Sequence, residues 1–253
     1  MPVHICVNPL YDSKKEQLLQ LADNFEQEGK ILVKGSRNII KTNYLEGDKV
    51  NIKYFKKPNF FNAIVYSLIR PSKARRSFEY AQYLLKNGIL TPQPLAYIEE
   101  KSGAGLGESY YICRHIDYDF TFRELIHDPL FPNRKAILEQ FTEFTYKMHE
   151  ARINFLDHSP GNTLIVDKGD GNYDFYLIDL NRMKFEDMGI EARMDNFKKL
   201  WPSRTMVKII AAKYAELTGK SYEELHAILL KSTLDFKRKI TKKKYLKRKL
   251  KKK

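Results

Sequence analysis

The order of strand-like and helix-like segments along the chain is the feature that most constrains its fold. Short segments rich in Val, Ile and Tyr fill the first half, and turn residues such as Gly35-Ser36 and Glu46-Gly47-Asp48 separate them. This pattern predicts a sheet of antiparallel hairpins. The predicted strands are Lys30 to Lys34, Asn38 to Asn43, Lys49 to Phe55, Leu95 to Glu99 and Ser109 to Arg114.

Helical patterns interrupt the strands and then replace them. Apolar residues at spacings of three and four predict amphipathic helices, the second of them with Ser72 as its N-cap. The predicted helices are Ser13 to Glu28, Ser72 to Lys86, Thr121 to Ile126 and Asn133 to Glu150. Strands with one helix among them, followed mainly by helices, predict a bilobal α+β molecule, and ligand sites commonly lie in a cleft between two lobes.

Composition excludes several classes of protein. Hydrophobic residues make up 43% of the 253 residues and aromatic residues 13%, which favours a packed globular body over a disordered chain. No stretch approaches the 18 apolar residues of a spanning helix, and the first residues lack the pattern of a signal peptide. With only Cys6 and Cys113, we expect neither a disulfide framework nor a cysteine metal site, and a cytosolic location.

The positive charge is concentrated at the end of the chain. The net charge is +14, yet Lys237 to Lys253 holds twelve Lys or Arg and no acid, so the other 236 residues carry 33 bases and 31 acids. A neutral body with a cationic tail predicts attachment to an anionic surface, because Ile240, Tyr245, Leu246 and Leu250 are interleaved with the bases. A disordered, solvated tail and nonspecific nucleic-acid binding are the alternatives.

A glycine-rich segment between two predicted strands resembles a phosphate-binding loop. Gly103, Gly105 and Gly107 lie within it, but no helix follows them as it does in phosphate-binding loops. We therefore predict a hairpin turn there.

The segment from Asn154 to Phe185 contains the residues best suited to catalysis. Asp157 precedes Asn162 by five residues, with Pro160-Gly161 forming a turn between them, and two apolar strands then lead to Asp179. A hairpin of these strands would bring Asp179 back beside Asn162. Phosphoryl transfer uses such groups: a carboxylate and an amide oxygen hold Mg²⁺, and a further carboxylate orients the attacking hydroxyl. The alternative for Asp157 and Asn162 is that they cap turns.

The pieces DHSPGN and LIDLNRMKF resemble the catalytic loop and the metal-binding Asp of the protein-kinase-like superfamily. The variant is close to the lipopolysaccharide core kinase family, whose members phosphorylate heptose or 3-deoxy-D-manno-octulosonic acid (Kdo) of the inner core. The resemblance covers roughly residues 30 to 200. It implies a bilobal kinase-like fold, ATP and Mg²⁺ as cofactors, and an active site between the lobes.

The resemblance also implies roles for individual residues. Asp157 would orient or deprotonate the acceptor hydroxyl, and Asn162 and Asp179 would hold Mg²⁺. Lys53, in Val50-Asn51-Ile52-Lys53, would contact the α and β phosphates, and Glu79 would brace it. Gly35 would belong to a cover over the phosphates, and the hinge Arg114, His115 and Ile116 would offer backbone groups to adenine.

The chain departs from the protein-kinase pattern at three points, and these bear on what kind of acceptor it uses. Phe155-Leu156-Asp157 stands where protein kinases have H-R-D, Asn181 replaces the glycine of D-F-G, and no A-P-E-like segment follows. The missing arginine removes the usual partner of a phosphorylated activation loop, which favours a small or lipid-linked acceptor over a protein. His149 is predicted to be structural, and His158 has no assigned role.

These inferences combine into one prediction of function. Residues 1–112 form a nucleotide-binding lobe, residues 113–236 a catalytic lobe, and residues 237–253 a basic tail. The protein is expected to phosphorylate a Kdo or heptose hydroxyl of lipid-linked inner core at the cytoplasmic face of a Gram-negative inner membrane, with Kdo favoured and no specific nucleic acid as a partner. The alternatives are a kinase-like phosphotransferase acting on a soluble small molecule or protein, and a noncatalytic ATP- or nucleic-acid-binding protein.

Overall fold

The computed structural model describes residues 3–36, 38–57, 70–102 and 105–250. The chain forms two compact units, Met1–Asp117 and Tyr118–Lys253. None of the helices in the described ranges is both long enough and apolar enough to cross a membrane.

The first unit is built on an antiparallel sheet, as predicted. Within the described residues the sheet has six strands in the order β1-β5-β6-β4-β3-β2. Each predicted strand is present, and β1, at the edge beside β5, was not predicted from the sequence. Gly103 of the glycine-rich segment lies outside the described residues, but β5 and β6 pair on either side of it as a hairpin would require. The strands are β1 (Val3–Val7), β2 (Lys30–Lys34), β3 (Asn38–Leu45), β4 (Asp48–Phe55), β5 (Pro94–Ser102) and β6 (Gly105–Arg114).

Two helices cover opposite faces of this sheet. A 3-10 helix (Pro9–Lys14) leads into α1 (Lys15–Asp23), and α2 spans Lys73–Lys86, with the Ser72 hydroxyl accepting a hydrogen bond from the Arg75 amide as predicted for an N-cap. Alternate residues of β4 face the two helices. Val50 and Ile52 share a core with α1, whereas Phe55 shares one with α2, so Lys53 lies on the face of the sheet that α2 covers.

Helix α1 is shorter than predicted, because beyond Asp23 the chain tightens into turns: the Phe25 amide donates to the Ala22 carbonyl at 3.1 Å, three residues back. A buried lysine binds the carbonyl groups of these turns. Nζ of Lys41 donates to the carbonyl oxygen of Phe25, to that of Glu26 at 3.1 Å and to that of Glu28 at 3.0 Å. Three acceptors offset the cost of burying the Lys41 charge.

The second unit is mainly helical and contains two small sheets. Hairpin β9–β10 pairs with β7, and β8 pairs with β11. Phe122, Phe141, Ile165, Phe175 and Tyr214 are among the fully or nearly fully buried residues of its core. The elements are β7 (Phe120–Thr121), α3 (Phe122–His127), α4 (Arg134–Glu150), β8 (Ile153–Phe155), β9 (Thr163–Gly169), β10 (Asn172–Leu177), β11 (Met183–Phe185), α5 (Ile190–Asn196), a 3-10 helix (Phe197–Leu200), α6 (Arg204–Thr218) and α7 (Tyr222–Leu250).

The basic segment that begins at Lys237 is the second half of α7. Phe236 packs against the Trp201 ring at a centroid distance of 5.5 Å, Nζ of Lys237 donates to the Pro202 carbonyl at 2.7 Å, and the Lys244 ammonium lies 5.8 Å from the Trp201 ring. Beyond these contacts, Tyr245, Leu246 and Leu250 are exposed. The helix is thus anchored through Lys244 and projects its last turns into solvent.

Candidate active site

The loop after β8 brings Asp157 and Asn162 together. Residues Pro160–Asn162 form a 3-10 turn, the Ser159 amide donates to the Asp157 carbonyl at 2.6 Å, and the Asn162 amide donates to the Ser159 carbonyl at 2.9 Å. Nδ2 of Asn162 also donates to the Asp157 carbonyl at 2.8 Å. The predicted turn at Pro160-Gly161 is therefore present, and it closes the loop on itself.

The hairpin that follows returns the chain to Asn162. Leu177 pairs with Thr163 in the β9–β10 ladder, and one residue further on the Ile178 amide donates to the Asn162 carbonyl at 3.0 Å. Asp179 follows directly and has a φ of +59°, a left-handed conformation that Asp and Asn adopt more readily than most residues. Nδ2 of Asn181 donates to its Oδ1 at 2.8 Å, so Asn181, in place of the D-F-G glycine, helps to orient the carboxylate.

The chemistry of these side chains fits Mg²⁺ on a nucleotide. Because the Asn162 side chain uses Nδ2 for the loop, its Oδ1 could bind a metal, and the Asp179 carboxylate could supply a second oxygen ligand. Mg²⁺ prefers hard oxygen ligands and is usually held by one or two protein groups together with substrate phosphates and water. In the described ranges no three His, Cys, Asp or Glu side chains cluster as a metal site.

Two cations flank the Asp157 carboxylate. Nη1 of Arg182 is 3.4 Å from Oδ2, and Nζ of Lys199 is 4.0 Å from Oδ1. Lys199 also donates to the Leu156 carbonyl, and the Leu156 amide donates to the Arg182 carbonyl at 3.0 Å. The Asp157 side chain is 28% exposed, so it remains accessible to a substrate.

A buried hydrogen-bond network supports the loop from below. Nδ2 of Asn196 donates to the Phe155 carbonyl at 3.1 Å and to Oδ1 of Asn154 at 3.2 Å, so its Oδ1 must accept the 2.7 Å bond from Nδ1 of His158. Burial lowers the pKa of His158 to about 4. The ring is therefore neutral near pH 7, with its proton on Nδ1, and it anchors the loop instead of exchanging protons with a substrate.

His149 has a similar structural role at the end of α4. It is buried, and its Nδ1 lies 2.9 Å from the Tyr214 hydroxyl. Burial, together with the nearby His158, lowers its pKa to about 3, so it too is neutral at physiological pH.

Gly161 allows an arginine to pack on the catalytic loop. A Cβ atom at this position would lie 2.4 Å from Nη2 of Arg123 and 2.7 Å from its Cζ. Arg123 is exposed on α3, so the guanidinium lies over the turn that carries Asn162. A side chain at residue 161 would displace it.

Lys53 lies in the first unit among aromatic residues. Its ammonium is 5.4 Å from the Phe55 ring, and its charge partly counteracts the burial that raises the pKa of Cys113 to about 12. Glu79 on α2 forms an ion pair with Arg75, with 2.6 Å between Nε and Oε1. The brace between Glu79 and Lys53 stays a prediction.

The residues that the sequence suggests for nucleotide binding differ in the backbone hydrogen bonds that they make. Gly35 lies in the β2–β3 hairpin, where its amide donates to the Asn38 carbonyl at 2.9 Å. The amide of Arg114 donates to the Gln93 carbonyl and that of His115 to the Lys49 carbonyl, each at 2.9 Å. Since both amides are used within the unit, the Ile116 amide is the better candidate donor of the three.

Side chains of the predicted hinge residues also make contacts within the first unit. The Arg114 guanidinium pairs with Asp48, and Nδ1 of His115 lies 2.9 Å from Oδ1 of Asn51. Burial lowers the pKa of His115, which favours its neutral form.

Sequence reasoning did not find three residues around the catalytic loop: Arg123, Asn196 and Lys199. They come from α3, from α5 and from the 3-10 helix after it, and tertiary packing alone brings them to the loop. The only local signal for these residues was the mostly polar and basic segment Asp195 to Lys199, just before Trp201. This segment matches no motif.

Comparison with known proteins identifies the family of the chain. A model of the lipopolysaccharide kinase (Kdo/WaaP) family matches residues 49–228. The chain belongs to this family. It is therefore an ATP-dependent phosphotransferase of lipopolysaccharide biosynthesis, and the family match spans Lys53, Asp157, Asn162 and Asp179.

A solved structure supports the fold of this lipopolysaccharide kinase. The structure titled "WaaP in complex with acyl carrier protein" is similar over 94% of this chain and 98% of that chain, with a TM-score of 0.64 and 15% sequence identity. The predicted kinase-like α+β fold, with an antiparallel sheet first and a mainly helical part after it, is thereby confirmed. The search of curated proteins returns no significant match.

Proposed function

We propose that this kinase transfers the γ-phosphoryl group of Mg-ATP to a hydroxyl of an inner-core sugar, with Kdo favoured over heptose. One observation carries the proposal most strongly: the loop that closes Asp157 onto Asn162, with Asp179 returned beside it by the β9–β10 hairpin. Family membership supplies the substrate class. Nucleotide binding is assigned to the first unit and acceptor chemistry to the second.

The proposed roles follow from the type and place of each side chain. The Asp157 carboxylate accepts a hydrogen bond from the acceptor hydroxyl and orients its oxygen. It takes the hydroxyl proton as the new P–O bond forms and the bond from the γ phosphorus to the bridging oxygen breaks, releasing ADP. Asn162 and Asp179 hold Mg²⁺, which when bound neutralises charge on the β and γ phosphates. Lys53 contacts the α and β phosphates, and Glu79 is assigned to brace it.

The adenine contacts are assigned to the segment after β6. Arg114, His115 and Ile116 were the candidates, and the Ile116 amide is preferred because the other two amides bind Gln93 and Lys49. Gly35, in the β2–β3 hairpin, is proposed to let that hairpin approach the phosphates closely, since glycine has no side chain to intervene.

The sugar can be tested with two acceptors of the same lipid type. We expect Kdo-bearing lipid A to be phosphorylated with a higher kcat/KM than lipid A extended by heptose, measured as ADP release and located by fragmentation of the product in mass spectrometry. A preference for the heptose-extended acceptor, with phosphate on heptose, would reverse the assignment of the sugar. Activity on soluble sugars or proteins with none on either lipid would favour the alternative of a soluble acceptor.

The end of α7 is proposed to bind the anionic surface of the inner membrane at its cytoplasmic face. Leu246 and Leu250 lie one turn apart, both are exposed, and basic residues surround them. Each base near an anionic surface contributes about 1 kcal/mol, and long lysine side chains can keep their charge in the headgroup region while their stems contact lipid. No specific nucleic acid is proposed as a partner.

Removal of residues 245–253 should weaken binding to vesicles containing anionic lipid without reducing turnover of a detergent-solubilised acceptor. This truncation retains Phe236, Lys237 and Lys244, which anchor α7 to Trp201 and Pro202. Cosedimentation with anionic and with zwitterionic vesicles is the measurement. The triple variant Lys247→Glu, Arg248→Glu and Lys249→Glu should act in the same direction.

A matched control separates the effect of the tail on vesicle binding from the effect of net charge. Lys135→Glu, Lys168→Glu and Lys184→Glu change the net charge equally at exposed sites elsewhere. If this control lowers vesicle binding as much as the tail variant does, the tail is not the membrane-binding element. Salt-sensitive binding to nucleic acid, with none to vesicles, would favour the nucleic-acid alternative.

A further inference from the structure

The two cations beside Asp157 are accessible to a ligand. Arg182 is 3.4 Å and Lys199 4.0 Å from the Asp157 carboxylate, and Lys199 also donates to the Leu156 carbonyl. The Arg182 side chain is 60% exposed and that of Lys199 36%. Because a guanidinium has five N–H donors, the single long bond leaves most of those on Arg182 for a ligand.

Two positive charges lie beside the Asp157 carboxylate. Lys198 is paired with Asp195, Glu186 accepts a hydrogen bond from Asn154 and lies near Lys184, and His158 is neutral. Arg182 and Lys199 are therefore the cations that adjoin Asp157, the group proposed to orient the acceptor hydroxyl.

Space for a large acceptor adjoins this position. Lys199 lines a groove of about 790 Å³ between α5 and α7, whose lining includes apolar side chains such as Ile228 and Phe236. Four lysines and three acids also line it, so the groove offers space and apolar contacts for a lipid-linked acceptor, and the charge selection is assigned to Arg182 and Lys199 beside Asp157.

We propose that Arg182 and Lys199 recognise a carboxylate on the acceptor sugar, next to the hydroxyl that Asp157 orients. This inference rests on the proposed function and deepens it. Kdo is an acid and heptose is an uncharged sugar, so the two cations form charge-assisted hydrogen bonds with the former alone. Arg182 and Lys199 are thus the residues that select the acidic acceptor.

The test compares Kdo-bearing lipid A with the same lipid in which the sugar carboxyl group has been converted to a methyl ester. Arg182→Gln and Lys199→Gln should each raise the KM for the acidic acceptor by about tenfold, the usual effect of losing one charge-assisted contact. The KM for the ester and the KM for ATP should not change. Arg182→Lys and Lys199→Arg should recover part of the affinity.

Matched controls lie close to both positions. Arg152→Gln removes an equally exposed arginine just before β8, whose ion pair is with Asp187. Lys184→Gln removes an exposed lysine of β11, outside the groove, whose ion pair is with Glu186. Both controls should retain the wild-type KM for both acceptors. Thermal melting of all variants checks that the second unit remains folded.

Four results would overturn the inference. Equal losses on the acid and on the ester would mean that the cations merely position Asp157, and a raised KM for ATP would mean that they contact the nucleotide. Equal effects of the controls would mean a general charge effect. Acceptor binding measured without ATP separates this inference from the proposed function. If the wild type prefers the acid and both variants lose this preference, recognition is supported even when no phosphate is transferred. Equal binding of acid and ester by the wild type refutes the inference.

Discussion

Asp179→Asn should lower kcat by about 10²- to 10³-fold while the protein remains folded. The substitution removes the charge that is proposed to hold Mg²⁺ and leaves an amide of the same size, and loss of one well-placed electrostatic contact at a reacting centre costs about 10²- to 10³-fold. Asparagine also tolerates the φ of +59° at this position, so the backbone should not change. Steady-state ADP release over a range of Mg²⁺ concentrations is the measurement.

Asp170→Asn is the control for this variant. Asp170 lies in the turn between β9 and β10, is exposed, and has a φ of +53°, so the two substitutions share chemistry and backbone conformation. The control should have wild-type kcat. A folded Asp179→Asn protein with wild-type activity would contradict the assignment of the metal site.

Asn196→Leu should destabilise the second unit by about 3 kcal/mol and lower kcat at least tenfold. Leucine is similar in size but cannot bond His158, Asn154 or the Phe155 carbonyl, and each buried polar group left without a partner costs about 1–3 kcal/mol. Because these bonds fix the loop that carries Asp157, catalysis should decline along with stability. Urea unfolding and kcat at a temperature well below the transition measure the two effects.

An exposed asparagine provides the comparison. Asn24→Leu removes one surface hydrogen bond to Glu28 and should alter the free energy of unfolding by less than about 0.5 kcal/mol. If Asn196→Leu loses stability but keeps wild-type kcat, the network supports the fold without positioning Asp157.

Much of the first unit could be predicted from the sequence because its signals are local. Clear turn residues separate the strands from Lys30 to Phe55. Ser72 marks the start of α2, because its hydroxyl accepts a hydrogen bond from the Arg75 amide, three residues further on. The early end of α1 could not be predicted, since the turn in which the Phe25 amide donates to the Ala22 carbonyl has no signal in the apolar spacing. Helical periodicity alone gave no reason to end the helix at Asp23.

The residues of the candidate site also differ in whether a local sequence pattern indicates them. Asp157, Asn162 and Asp179 lie on a loop and a hairpin whose spacing is visible in the chain. Lys199 and Asn196 reach the loop only after α5 and the following 3-10 helix pack against it, so no local pattern indicates them. His158, next to Asp157 in sequence, resembles a catalytic residue, and only its burial and its bond to Asn196 identify it as structural.

The measurement that tests the central claim most directly is mass spectrometry of Kdo-bearing lipid A after incubation with Mg-ATP and the full chain. The account predicts a product heavier by one phosphate on the sugar, formed together with one equivalent of ADP, and absent when Asp157→Asn protein replaces the wild type. Unchanged lipid despite ATP binding, or the same product with Asp157→Asn, would contradict it.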